Sequence, residues 1–205
     1  MSLVSAQAAA EPVRRLYGRG EEQQALSTLV EEARTSGSGV LVLRGPAGIG
    51  KSALLADTVA KAEGMRVLQA VGVESESGLA FSGLHQLLRP LEELIQGLPG
   101  PQATALRGAL GLSSGGGDDL FLVGAAVLTL IATAAEAEPV LCVIEDAQWL
   151  DAASLVAITF AARRLQAERV AMLFAARECD ELQTLLRRSS RSFGSNALTR
   201  RLRQP

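Results

Sequence analysis

The chain has 205 residues, 48% of them apolar, enough to bury a full core, and one α/β domain is the expectation from size. Aromatic residues make up only 3%, so Leu, Val, Ile and Ala must build that core. Residues 1–186 carry 14 Lys and Arg against 22 Asp and Glu, whereas residues 187–205 carry six Arg and no acid, so the acidic body offers no electrostatic reason to bind nucleic acid.

Residues 1–13 are mostly small or polar, with no cationic stretch leading into an apolar block; they read as a disordered N-terminus and not as a secretory signal. Ala25, Leu26, Leu29, Val30 and Ala33 recur at helical spacing and predict a helix over Glu21–Ala33. Val40–Leu43 follows as a first strand, and Leu54, Leu55, Val59 and Ala62 mark a second helix. Arg66–Val73 reads as a second strand, and Leu84, Leu87, Leu88, Leu91 and Ile95 as one amphipathic helix. A short helix around Ala103–Leu110 is followed by the flexible Ser113–Gly117. Asp118 and Asp119 then precede a long apolar helix, where carboxylates suit the N-terminus. That apolar run, Leu120–Ala135, has 16 residues including Gly124, Thr129 and Thr133, short for a membrane span and suited to a buried helix. Pro139 introduces a third strand (Val140–Ile144), a helix spans Ala152–Ala167, and Arg169–Ala176 is a fourth strand.

Strands alternating with helices imply right-handed crossovers and a parallel sheet. The expected architecture is a three-layer α/β domain over residues 14–186, a parallel sheet of four strands flanked by helices. Residues 187–205 are expected to form a basic, disordered tail with no strand.

Between the first strand and the second helix stands Gly45-Pro46-Ala47-Gly48-Ile49-Gly50-Lys51-Ser52, which fits G-x-x-x-x-G-K-[ST]. The glycines permit turns that aim successive N–H groups at one anion, and the next helix adds its positive dipole end. Lys51 supplies a cation for β/γ-phosphates, and Ser52 a hydroxyl for Mg²⁺. The third strand closes on Glu145-Asp146, the acids that Mg²⁺ and an attacking water require beside a phosphate loop. Arg177, at the end of the fourth strand, is placed by the same logic to sense a γ-phosphate. A single histidine, His85, supports neither a zinc cluster nor a Ser-His-Asp triad and reads as a surface or structural residue. Cys142 and Cys179 read as reduced thiols.

Several stretches together resemble the nucleotide-binding module of the large ATP-binding regulators of LuxR type, in the STAND branch of AAA-like P-loop NTPases. They are Leu16-Tyr17-Gly18-Arg19-Gly20-Glu21-Glu22, the Gly45–Ser52 loop, Phe81-Ser82-Gly83-Leu84-His85-Gln86-Leu87-Leu88-Arg89-Pro90-Leu91, Glu145-Asp146-Ala147-Gln148-Trp149-Leu150-Asp151 and Ala175-Ala176-Arg177-Glu178. The resemblance covers roughly residues 14–182. It implies an ATP- and Mg²⁺-dependent switch; the N-terminus without a secretory signal and the short apolar run read, separately, as a cytoplasmic chain. Leu16–Arg19 would lie against the adenine, Gly45–Ser52 around the phosphates, and Glu145 toward Mg²⁺ with Ser52 and Asp146. Asp146 would polarise water and Arg177 act as first sensor, with Lys51 completing the catalytic set. Trp149 and Asp151 would only pack and cap the next helix.

Two departures stand out. Glu145 replaces the frequent Asp, which suits Mg²⁺ held through water. A fifth strand, a helical lid and a DNA-binding domain are not recognisable after Arg177, as in a truncated product whose first strand is an exposed edge. Such an edge suggests self-association or pairing with a full-length relative, and no direct contact with DNA or membrane. The alternatives are a non-catalytic remnant acting by association and a small-molecule kinase, which the Glu145–Trp149 motif does not fit.

Overall fold

Strands that are apolar on both faces belong in the middle of a sheet with helices on each side. In the computed structural model, which describes residues 18–115, 117–177 and 197–202, β1 (Gly39–Arg44), β3 (Val140–Glu145) and β4 (Val170–Ala176) are buried almost throughout. With β2 (Arg66–Val71) and β5 (Ala197–Arg201) they form one parallel sheet in the order β2-β3-β4-β1-β5.

Side chains alternate across the sheet, so each strand feeds two separate cores. On one face, α1 (Gly20–Thr35) and α2 (Lys51–Ala60) pack Leu26, Leu29, Leu54 and Leu55 with Leu41, Leu43, Leu141 and Leu173. The other face carries α3 (Ser82–Leu88), α4 (Gly100–Ala109), α5 (Leu120–Ala137) and α6 (Ala152–Ala162), packed with Val40, Val42, Cys142, Ile144, Met172 and Phe174. Complete burial raises the Cys142 thiol to about 12, so it stays protonated and inert. Cys179, residues 1–17 and residues 187–196 lie outside the described residues.

The chain runs from β1 past two strand positions to β2, then returns through β3 and β4. This return leaves β4 between β1 and β3, so the carboxyl ends of all three lie side by side. Open α/β sheets bind their ligands at such a place.

The expected elements are present, with three differences. The helix expected over Leu84–Ile95 is divided: α3 ends at Leu88 and a 3-10 helix continues over Arg89–Gly97. Pro90 has no N–H to donate to the carbonyl four residues back, so the α-helical ladder is interrupted there although Arg89 keeps helical backbone angles (φ -47°, ψ -41°). Leu91 and Ile95 are nevertheless fully buried, so the apolar stripe survives the change of helix type. Helix α6 stops at Ala162, five residues before the expected Ala167. The chain turns there so that the Glu168 and Val170 amides donate to the Ser38 hydroxyl, which ties β4 to the loop before β1.

The third difference corrects the four-strand sheet with an open first strand. Ala197–Arg201 lies parallel to β1, pairing Val40 with Ala197 through Arg44 with Arg201. An edge strand is held by backbone hydrogen bonds and needs no apolar run, which is why arginine-rich sequence hid it. Immediately after it, Leu202 donates its amide to the Arg44 carbonyl at 2.6 Å and is almost completely buried.

Helix α5 is long and apolar enough to cross a membrane by length and composition alone. Here it is a core helix: Val123, Val127, Leu130 and Ile131 are fully buried between the sheet and its neighbours. Gly124 lets α6 come close, since a Cβ there would fall 2.8 Å from the Phe160 ring.

Leu202→Ala should therefore lower unfolding stability by about 2–4 kcal/mol in urea titrations, the usual cost of emptying a buried leucine site. Leu112→Ala, at a residue 50% exposed, should stay within about 0.5 kcal/mol of the parent.

Candidate functional site

The loop after β1 obtains its shape from backbone that other residues would strain. Gly48 and Gly50 have φ of 75° and 100°, in the left-handed region that glycine enters freely. Helix α2 starts at Lys51 with no side-chain cap, whereas Asp119 and Asp151 cap α5 and α6. Its first-turn amides therefore receive no side-chain oxygen, and the positive end of the helix faces the loop. Pro46, Ala47, Gly48 and Ser52 are exposed, and the Ser52 hydroxyl makes no hydrogen bond among the described residues.

Lys51 is 8% exposed, and its ammonium donates to the Gly45 carbonyl at 2.9 Å and the Pro46 carbonyl at 3.0 Å. Burial lowers its pKa; Asp146 opposes that, Arg177 adds to it, and Glu145 opposes it. The charges of all three predicted residues thus act on Lys51, and the fold has brought the separate motifs together.

Two supports hold the loop from outside. The buried Arg19 guanidinium donates to the Ile49 carbonyl at 2.8 Å and pairs with Glu22 at 3.3 Å, bracing the loop against the start of α1. Sequence assigned Arg19 to an adenine contact through backbone; the structure places its side chain on the loop, while Leu16 and Tyr17 lie outside the described residues. Leu202 is the second support, because a Cβ on Gly45 would lie 3.2 Å from the Leu202 Cβ.

Opposite the loop, β3 ends in the half-buried Glu145 and Asp146. Asp146 has φ 46° and ψ 46°, left-handed backbone that costs a non-glycine residue about 1 kcal/mol or more. A 3-10 turn, Ala147–Trp149, follows, closed by the Trp149 amide on the Asp146 carbonyl at 2.8 Å. Gly72, past the end of β2, runs so close that a Cβ there would strike the Asp146 carbonyl, and its amide donates to the Glu145 carbonyl at 2.8 Å. Gln148 completes the turn: its amide nitrogen donates to Asp146 Oδ1 at 2.9 Å, and its oxygen accepts from the Arg177 amide at 2.9 Å.

Asp151 does more than cap α6. Its Oδ1 accepts from the Ser154 and Phe81 amides at 2.9 and 2.8 Å, and its Oδ2 from the Gly83 amide at 3.1 Å. The Ser154 hydroxyl accepts from the Leu84 amide at 2.7 Å, so α3 and α6 share one polar anchor. Burial would raise the Asp151 pKa, but hydrogen bonds from Ser154, Gly83 and Phe81 outweigh it and hold the carboxyl below its ordinary value. His85 lies on the surface, 3.7 Å from a Glu92 oxygen.

Sequence reasoning missed three contributors: Gln148, Gly72 and Leu202. Gln148 lay inside a quoted motif without a role. The other two act through backbone proximity that no spacing rule reveals.

A parallel sheet with a glycine loop at one central strand end and paired acids at another defines a P-loop nucleotide-binding domain. The chain belongs to the AAA ATPase domain family, whose profile matches residues 15–174. No curated protein matches it. Among solved structures it is similar to Cdc6p from Pyrobaculum aerophilum, at 16% identity and TM-score 0.58 over 94% of this chain and 47% of that one. It is also similar to a Walker-type ATPase of Pyrococcus abyssi (13% identity, TM-score 0.54, 95% of this chain and 56% of that one). A third is the ORC2 protein of Aeropyrum pernix, solved in ADPNP–ADP complexes (17% identity, TM-score 0.50, 95% of this chain and 50% of that one). The chain thus spans about half the length of these structures, and the likeness shows the fold. Family membership implies nucleotide binding, typically with Mg²⁺.

Asp151→Asn should lower stability at neutral pH, because two helix ends lose a charged acceptor. A carboxyl held below its unfolded pKa stabilises the fold above that value, and the contribution disappears as pH falls below about 4. Urea midpoints of the parent and variant should therefore converge in acid; a gap unchanged between about pH 7 and 3 would contradict this assignment.

Proposed function

We propose that this chain is a cytoplasmic ATP-binding module that hydrolyses ATP slowly and works as a nucleotide-dependent switch. The observation that carries the reading is the Lys51 ammonium, held by loop carbonyls within the field of Glu145, Asp146 and Arg177. The amides of Gly48–Ser52 and the uncapped start of α2 favour a polyphosphate. Lys51 exchanges the Gly45 and Pro46 carbonyls for phosphate oxygens, a better partner for a desolvated cation.

The Ser52 hydroxyl and the Glu145 and Asp146 carboxylates are hard oxygen donors, a set that suits Mg²⁺. Mg²⁺, when bound, neutralises charge on the β- and γ-phosphates. No group of three or more His, Cys, Asp or Glu converges among the described residues, in keeping with an ion held largely by phosphate and water. Asp146 orients water toward the γ-phosphate, and Arg177 follows that phosphate's charge from the end of β4. The nucleotide complexes of the Aeropyrum pernix relative support an adenine nucleotide as ligand.

The finer assignment, to the regulators of LuxR type in the STAND branch, is supported by the order of motifs from Arg19 through Glu145–Asp151 to Arg177. The alternative of a remnant that associates through an open β1 edge loses that edge, because β5 occupies it.

A fluorescent ATP analogue should bind saturably to the parent, and Lys51→Ala should weaken binding at least about tenfold by removing a charge-assisted bond. Equal binding by the two would end the switch reading. Asp146→Asn should bind the analogue while phosphate release falls about 100-fold or more. A phosphorylated small molecule as product would instead identify a kinase.

A further inference from the structure

We propose that Gln148 is a positioning residue: its amide holds the Asp146 carboxylate against the end of β4 and so makes hydrolysis depend on the placement of Arg177. The inference rests on the hydrolysis reading above and names the residue that governs it.

Asp146 stands on left-handed backbone, and Gln148 Nε2 provides the one hydrogen bond to its carboxylate among the described residues. That bond occupies Oδ1, and no hydrogen bond to Oδ2 is made among the described residues. The other end of the same amide accepts from the Arg177 N–H, on the first residue beyond β4, past the last strand pairing of β4 among the described residues. Only a side chain with both a donor and an acceptor can join these two groups, and a planar amide fixes the distance between them. Any shift of Arg177 toward an anion therefore moves the anchor of Gln148 Oε1 and, through Nε2, the carboxylate. Trp149 and Ala147, the neighbours in the turn, make no such side-chain bridge among the described residues.

The test uses the full chain with ATP and Mg²⁺, measuring phosphate release beside binding of a fluorescent ATP analogue. Gln148→Ala should lower kcat about tenfold to a hundredfold, the size expected for losing a bond to a charged group. Its Kd for the analogue should stay within about twofold of the parent, which separates positioning from loss of the site.

Gln148→Glu is close to isosteric and carries the test if the alanine variant unfolds. It keeps an acceptor for the Arg177 amide and removes the donor to Asp146 Oδ1, so kcat should fall about tenfold or more while Kd for the analogue stays within about twofold of the parent. A Gln148→Glu variant that turns over like the parent overturns the inference, as does a Gln148→Ala variant that turns over like the parent or loses binding and turnover together. A parent that binds the analogue but releases no phosphate overturns the hydrolysis reading and this inference with it. A parent that turns over beside an indifferent Gln148→Ala overturns only the role of Gln148.

Discussion

A charged lysine ammonium is costly to bury without oxygen atoms to accept its hydrogen bonds, and at Lys51 the carbonyls of Gly45 and Pro46 accept them. This one clamp determines much of what surrounds it. The loop must curl far enough for its first two carbonyls to reach a side chain five or six residues on, and Gly48 and Gly50 make that curl possible. Burial works against the charge, and the nearby acids restore part of what it removes. The result is a cation ready to change partners, which is the property a phosphate site needs.

The surrounding fold holds the two sides of that clamp at a fixed spacing. On the loop side, Arg19 grips the Ile49 carbonyl and Leu202 lies against Gly45. On the acidic side, Gly72 presses against the Asp146 turn and Gln148 ties it to Arg177. Asp151 then joins α3 to α6 just beyond the turn, so the helical layer cannot shift without disturbing it. These are contacts of backbone and amide groups more than of large side chains, which suits a chain with 3% aromatic residues. Dense hydrogen bonding at strand ends gives precision where apolar bulk is scarce.

Much of this was legible in the sequence because period and spacing carry it. The apolar runs Val40–Leu43 and Val140–Ile144 could only be strands covered on both faces, and the glycine pattern between strand and helix located the loop. What escaped was information spread over long separations. The bonds of Asp151 to Phe81 and Gly83 span about 70 residues, and nothing local announces them. Strand β5 escaped for a different reason: an edge strand needs backbone partners, and Ala197–Arg201 looks like solvated tail until β1 lies beside it. The division of the Leu84–Ile95 helix at Pro90 was visible in principle, but the intact apolar stripe concealed it.

The most direct test of the clamp is a crystal structure of the chain with a non-hydrolysable ATP analogue and Mg²⁺. The account predicts phosphate oxygens on the Gly48–Ser52 amides, with the Lys51 ammonium moved off the Gly45 and Pro46 carbonyls onto them. A nucleotide seated elsewhere, or phosphates bound while Lys51 keeps both carbonyls, would contradict it.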